Sequence, residues 1–399
     1  MLDRAALHEI VAISSELTAE KDKNLLLEKL LAEAMKISSC DAGTLYVYEK
    51  GRLRFHIMKT LSQKVDRRGK ALDLPPVELR EENVCAFAAI RRELVNIPDV
   101  YHSERFDFSG PRRYDEMTGY RTRSMLVVPL EDSEQKLIGV LQLINKLDGK
   151  GEVVPFTEDD EFSLQSLGSM TAVSLSNMTY SELIRDSSKT FSAFLFAYCG
   201  WMIVYALWQY LGQPVSTDVM THGVELLGFL MFFYILGKTS LSWKDLGIQS
   251  ENPWKTVRTG LLIAVCAVAV MCAAKAVVRI FAPDALGPEY PFFHLRAFGV
   301  RQIIYIFTAG VQEFLARSVI QGNLRRIMVG RHVGAAAIVI SPMSFATLHI
   351  HLGLVFMLGA AVLAGLEGIL YEKQKSIYGV WIVHWVFGVT GTMLHFIDH

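Results

Sequence analysis

The chain has 399 residues, with 40 Lys and Arg against 41 Asp and Glu, a net charge of −1 and 51% hydrophobic residues. That length sets two domains as the prior, and the near-neutral balance excludes a strongly basic nucleic-acid binder, so no nucleic-acid partner is expected. Five cysteines (Cys40, Cys85, Cys199, Cys266, Cys272) without paired spacing indicate neither a disulfide framework nor a zinc site and read as buried apolar thiols.

From the N-terminus, residues 1–24 are charged and helical in pattern, so no signal peptide is expected and the first half is placed in the cytoplasm. Residues 5–38 fit one or two helices, with Leu25, Leu27, Leu30 and Leu31 at helical spacing. Strand patterns follow at 44–49, 52–58, 124–130 and 136–145, the first two joined by the short turn "KG". The excursion 60–123, rich in Pro, Gly, Asp and Arg, suits a binding site or lid. A helix is expected from 157, where Thr157 and Asp160 resemble a capping box, and Leu164, Leu167, Thr171, Leu175 and Met178 continue it. No Pro occurs from 156 to 213. One helix is therefore expected to run from the first domain into the first apolar span, with a break near "RDSSK" (185–189) as the alternative.

Residues 1–188 are mixed and charged, but from Phe191 onward apolar runs of about 20 residues recur, the length that crosses a hydrocarbon core. Seven candidate spans lie at about 190–211, 221–237, 257–278, 300–323, 333–350, 352–371 and 377–397. Lys and Arg gather in the loops 238–258, 324–332 and 372–376 and are absent from 212–219. The 279–299 loop is mixed, with Arg279 and Arg296 against Asp284 and Glu289. This alternation favours an inside N-terminus. The expected division is 1–186 and 187–399.

The segments "VNIPDVYHSERFD" (95–107), "DEMTGYRTRSMLVVPL" (115–130), "GVLQLINK" (139–146) and "FTEDDE" (156–161) resemble GAF domains of cyclic-nucleotide phosphodiesterases, over roughly residues 5–180. The resemblance implies an α+β fold, an antiparallel sheet with flanking helices, that dimerises through its helices and binds cAMP or cGMP under the excursion. Carried over by position, Thr44 lines the pocket from the first strand, and Val84 and Cys85 offer backbone groups to the base. Asp115, Thr118 and Thr122 lie on the covering helix and loop, and Gln142 stands on the last strand where the family can have Glu. Gln142 both donates and accepts, unlike an ionised Glu, which bears on purine preference or binding strength. The signature residues Asn145, Lys146, Phe156, Asp160 and Glu161 read as structural, with Lys146 and Asp160 as an ion pair. A GAF domain that only dimerises is the alternative.

Within the spans, "QEFLAR" (312–317), "FATLH" (345–349) and "GVWIVHWVFG" (379–388) carry ionisable groups. Each costs about 2.5–3.5 kcal/mol at mid-bilayer on insertion scales, so they are functional candidates by default. They resemble the intramembrane proteases of the CAAX-processing and bacteriocin-immunity (CPBP, Abi) family, over roughly 190–398, as an all-α polytopic membrane domain of about seven transmembrane helices. The family motifs are a Glu-Glu pair followed by Arg, a Phe-x-x-x-His and a His-x-x-x-Asn or Asp. The resemblance implies that the first Glu and first His activate water, the last His and Asn stabilise the oxyanion, and the second Glu and the Arg hold the site together. Here those positions are Gln312, His349, His384, Gly388, Glu313 and Arg317. Gln312 and Gly388 depart from the pattern: Gln312 cannot accept a proton, and Glu313 lies one helical turn from Arg317, on the same face. The expected catalytic set is Glu313, Arg317, His349, His384 and Gln312, with no metal and no catalytic cofactor, and with Glu313 and Arg317 compensating each other and bracing both histidines. His349 falls toward a span end, so a helix break at "ISPMS" (340–344), at Pro342, is expected.

Two readings follow. One is an integral, multi-pass cell-membrane endopeptidase, contacting membrane lipid, acting on a membrane or prenylated peptide and regulated by a cyclic nucleotide on a cytoplasmic GAF domain. The other is an inactive scaffold or signal transducer on the same fold, and a transporter or channel is a weaker third.

Overall fold

The computed structural model describes residues 4–68, 74–248, 250–281, 291–295 and 298–396. Asp284, Glu289 and Arg296 of the mixed loop lie outside them. Two units are present, Met1–Ser181 and Glu182–His399.

In the first unit, helices α1 (Arg4–Ala19) and α2 (Lys23–Ile37) are separate. Asp22 ends the break between them by accepting from the N–H groups of Asn24 and Leu25 as the N-cap of α2. Strands β1 (Cys40–Glu49) and β2 (Arg52–Thr60) form the expected hairpin. Its turn residues Lys50 and Gly51 both have positive φ, 50° and 80°, the conformation whose twist matches a two-residue hairpin loop. The excursion holds more order than its composition suggested: β3 (Val65–Arg68), β4 (Val77–Glu78), α3 (Val84–Arg91), β5 (Val95–Ile97) and α4 (Ser109–Thr118). Then come β6 (Met125–Glu131), β7 (Leu137–Leu147) and β8 (Val153–Val154). The antiparallel sheet runs β3-β2-β1-β7-β6-β5, with β4 beside β2 and β8 beside β7.

Alternation along β1 sends Leu45 to one face and Tyr46 to the other. Leu45 joins Leu26, Leu30 and Leu31 of α2 with Leu164 and Leu167 of the exit helix. Tyr46 joins Val84, Cys85 and Ala88 of α3, with Phe106 and Val127.

The exit helix α5 (Glu158–Tyr210) is continuous for 53 residues, without the alternative break at 185–189. The second unit continues with α6 (Thr217–Lys238), α7 (Pro253–Phe281), α8 (Val300–Glu313), a π-helical segment (Phe314–Gly322), α9 (Asn323–Ile327), α10 (Val333–Thr347), α11 (Leu354–Gln374) and α12 (Ile377–Met393). Among the described residues five helices are long and apolar enough to cross a membrane: α5, α6, α7, the run Val300–Ile327 and α11. The two remaining expected spans are shorter apolar helices, α10 of 15 residues and α12 of 17.

Every residue of the π-helical segment is buried, so this run is the central rod of the unit. Trp381 and Trp385 of α12 donate their indole N–H groups to the carbonyls of Ile306 and Gln302, tying α12 to α8. Helix α12 also lies close against α7: a Cβ on Gly260 would stand 2.8 Å from the Gly379 carbonyl oxygen, so a small residue is required there. The break expected at Pro342 is not where the structure puts it. Helix α10 runs through Pro342 to Thr347, and the chain turns after Leu348, reversing at Gly353 with φ +100°. Proline lacks only the N–H toward Ile338, and packed neighbours tolerate that loss inside a helix.

Candidate functional site

In the first unit, Thr44 and Gln142 are direct cross-strand partners of β1 and β7, both buried. The Tyr46 hydroxyl donates to Gln142 Oε1 (3.0 Å), and Gln142 Nε2 contacts Met125 Sδ (3.3 Å). Burial pushes the Cys85 thiol up to about 12, and burial with Cys85 alongside raises the Tyr46 phenol. Thr44, Gln142, Val84 and Cys85 are thus all buried, the last two in the Tyr46 cluster. The Cys85 backbone N–H, expected to face a base, is instead taken by the Asn83 side chain capping α3 (3.0 Å).

The covering residues form a second group. Asp115 accepts from the Tyr101 hydroxyl (2.9 Å), the Thr122 N–H (2.8 Å) and the Thr122 hydroxyl (2.9 Å). Asp115 and Thr122 therefore lock the loop after α4, while Thr118 is exposed at the end of that helix. Asn145, at φ 57°, accepts from Arg123 N–H (2.7 Å) and donates to the Arg121 carbonyl (2.7 Å), fixing the return into β6. Asp160 pairs with Lys146 and accepts from the Thr157 N–H and hydroxyl (2.7 Å each). Phe156 is buried, and Glu161 accepts from Asn96 (2.7 Å).

In the second unit the expected charged set meets in part. Arg317 Nε donates to Glu313 Oε2 (2.8 Å), and His384 Nδ1 donates to Glu313 Oε1 (2.7 Å). Both oxygens of Glu313 are therefore committed. Arg317 is fully buried and spreads its other donors to Gln321 Oε1 (3.1 Å), the Ala364 carbonyl (2.9 Å) and Glu367 Oε2 (3.3 Å). His349 is buried but is not braced by Glu313. Its Nδ1 donates to the Phe345 carbonyl (3.1 Å), which leaves Nε2 as the acceptor of a neutral ring. The Phe345 ring packs near both histidines, its centroid 4.8 Å from that of His349 and 6.4 Å from that of His384. Gln312 is buried and makes no side-chain hydrogen bond among the described residues.

Glu367 of α11 was not singled out by sequence, although a lone acid in the apolar run "VLAGLEGILY" (362–371) is the signal that marked Glu313. Its Oε2 lies 3.8 Å from His384 Nδ1, and its buried Oε1 has no hydrogen-bond partner among the described residues. Ligand atoms of Glu313, Glu367 and His384 lie within 4.8 Å of one another, a spacing that could hold a cation. Arg317 already places a positive charge on both carboxylates there. Tyr305 was also missed. A Cβ on Gly388 would meet its Cε1 at 2.4 Å, so the phenol of α8 fills the space beside α12 where the resemblance led us to expect Asn or Asp.

The GAF domain family model matches residues 22–175, and the model described as Type II CAAX prenyl endopeptidase Rce1-like matches residues 296–390. The chain thus carries a GAF domain and an Rce1-like region. Among curated proteins, Dual 3',5'-cyclic-AMP and -GMP phosphodiesterase 11A of Takifugu rubripes is 40% identical over 96 residues, covering 24% of this chain and 10% of that protein. Dual 3',5'-cyclic-AMP and -GMP phosphodiesterase 11 of Drosophila melanogaster is 29% identical over 177 residues, covering 42% and 12%. The chain therefore spans about a tenth of the length of these relatives. Solved structures similar to this chain include the GAF domain of an Acinetobacter phosphoenolpyruvate-protein phosphotransferase, 18% identical with TM-score 0.34, covering 44% of this chain and 96% of that one. Free methionine-R-sulfoxide reductase of Neisseria meningitidis is 19% identical with TM-score 0.34, covering 45% and 94%.

Proposed function

We propose that the chain is a membrane-embedded endopeptidase that hydrolyses a peptide bond of a membrane or prenylated substrate, under the control of cAMP or cGMP bound by its GAF domain. The observation that carries this reading is the buried ion-pair cluster of Glu313, Arg317 and His384, with His349 against the Phe345 ring, inside the Rce1-like region. In this reading Glu313 and Arg317 are positioning residues: they fix the His384 ring so that its other nitrogen faces the reaction. His349 Nε2 and His384 Nε2 supply the acceptor and donor for water and oxyanion, a stabilisation worth about 10²–10³ in rate per donor. The GAF ligand acts through α5, and it shifts the output only by its differential affinity for two arrangements of that helix.

The test uses the full chain in proteoliposomes with a fluorogenic prenylated peptide carrying a CAAX sequence. Cleavage is expected in the wild type, at least about 10²-fold reduced in His384→Ala and His349→Ala, and altered by saturating cAMP or cGMP. The GAF half is checked separately by thermal shift, where an unchanged melting curve with both nucleotides counts against it.

A second reading, an inactive relative that transmits the GAF signal, is favoured by Gln312, by the two committed oxygens of Glu313 and by the Tyr305 ring against Gly388. Nucleotide-dependent stabilisation without cleavage of any prenylated peptide would select it.

A further inference from the structure

We infer that Glu367 is the proton-transfer group of this site, holding the reacting water on its Oε1; the inference rests on the endopeptidase reading above. A proton acceptor must be a carboxylate or imidazole with an atom left open toward the water. Gln312 cannot take a proton, both oxygens of Glu313 already accept, one from Arg317 and the other from His384, and His349 Nε2, the other open acceptor, is the one that orients the water in the reading above. The open carboxylate oxygen of the cluster is Glu367 Oε1, on a residue only 2% exposed. A buried polar atom without a partner calls for an explanation, and a bound water is the simplest. The neighbours suit that role. Glu367 Oε2 is anchored 3.3 Å from Arg317 Nη2, so the group is oriented, and the His384 ring lies 3.8 Å away. The Tyr305 phenol is packed over Gly388, with its ring centroid 6.1 Å from that of His384.

The step balances without a further reagent. Water gives one proton to Glu367 Oε1 while its oxygen bonds to the carbonyl carbon, and the C=O π pair moves onto the carbonyl oxygen. Collapse of the tetrahedral adduct re-forms C=O and breaks the C–N bond. The proton passes from Glu367 to the departing nitrogen, and the carboxylate is restored.

The experiment compares wild type, Glu367→Gln and Glu367→Asp as full chains in proteoliposomes with the fluorogenic CAAX peptide, across pH and with and without a chelator. Glu367→Gln is expected to lose about 10²–10⁴ in kcat, the range of general-base contributions, with KM within about twofold of wild type when positioning is intact. The acid limb of its kcat/KM profile is expected to vanish, while Glu367→Asp keeps a displaced one. A structural carboxyl would be replaced by Gln, whose amide oxygen can still accept from Arg317, so near-wild-type cleavage by Glu367→Gln overturns the inference alone. If Glu367→Gln does not fold, Glu367→Asp decides: an acid limb superimposed on that of the wild type overturns it. Activity lost to chelator and restored by a divalent metal overturns it in favour of a cation held by Glu313, Glu367 and His384. Absence of wild-type cleavage overturns the endopeptidase reading and this inference together.

Discussion

Cys85 shows what burial does to a single side chain. The thiol lies under α3 against Tyr46, and its ionisation is pushed from an ordinary 9.0 up to about 12 by loss of solvent. The unfolded chain releases this proton near 9 while the folded chain holds it to about 12, so the folded state binds more protons across that window. Stability is therefore full below pH 9 and falls as pH rises from there toward 12. Cys85→Ala is expected to flatten that alkaline limb in pH-dependent melting of the GAF domain. Native Cys85 should also resist maleimide at pH 8 until the chain is unfolded, because roughly one thiol in 10⁴ is ionised there. Asp160 makes the opposite case, an acid held by several donors: Lys146 and both donors of Thr157 converge on its Oδ2. Asp160→Ala orphans the half-buried Lys146 and the cap together and should destabilise the domain by about 2–3 kcal/mol in denaturant titration. That ion pair was legible from sequence because both partners sit in one compact signature. The Tyr46–Gln142 bond was not, because a phenol on a strand face reads as core until the partner strand is placed beside it.

At the level of elements, period and breakers announced the hairpin, the two central strands and the unbroken α5, whose residues satisfy each other locally. The excursion was less legible: its strands are two to four residues long and are held by tertiary pairing rather than by pattern. Pro342 misled because packing, not local chemistry, decides whether a proline interrupts a helix in this setting. The polar site was half visible for a similar reason. Glu313 and Arg317 are one turn apart on the same rod, whereas Glu367 arrives from α11 and Tyr305 occupies the space beside α12 left by the missing side chain at Gly388. The rod itself is testable through Arg317. With Glu313, Gln321, the Ala364 carbonyl and Glu367 all on one guanidinium, Arg317→Met strips both buried carboxylates of their arginine and leaves Glu313 held by His384 alone. Thermal unfolding in detergent should show a loss of about 3–5 kcal/mol, the usual cost of removing one partner from a buried ion pair. Adding Glu313→Gln and Glu367→Gln to that variant should recover most of the loss, since the uncompensated charge rather than a cavity causes it.

Across the whole molecule, α5 is the element shared by both units, and its contacts within the second unit reach the machinery at two points. Asp186 accepts from the N–H (2.8 Å) and hydroxyl (2.7 Å) of Ser240, and the neighbouring Ser187 hydroxyl accepts from Arg326 (3.4 Å) on α9, which continues the rod that carries Arg317. Three turns on, the Tyr198 hydroxyl bonds to that of Thr347 (2.7 Å), two residues before His349. A rotation of α5 would move both contacts at once, whereas a purely flexible link between units would move neither. Helical phase separates these cases. Two alanines inserted after Ser181 turn the downstream helix by about 200°, while seven residues return it to within about 20° of its original phase with roughly 10 Å of added rise. If rotation carries the signal, the two-residue insertion should abolish the nucleotide-dependent change in peptide cleavage and the seven-residue insertion should keep it, with melting of both units unaltered. A response preserved in both variants would mean that α5 tethers the units without transmitting between them. A response lost in both would place the signal in axial displacement instead, because the seven-residue variant restores angle but not length.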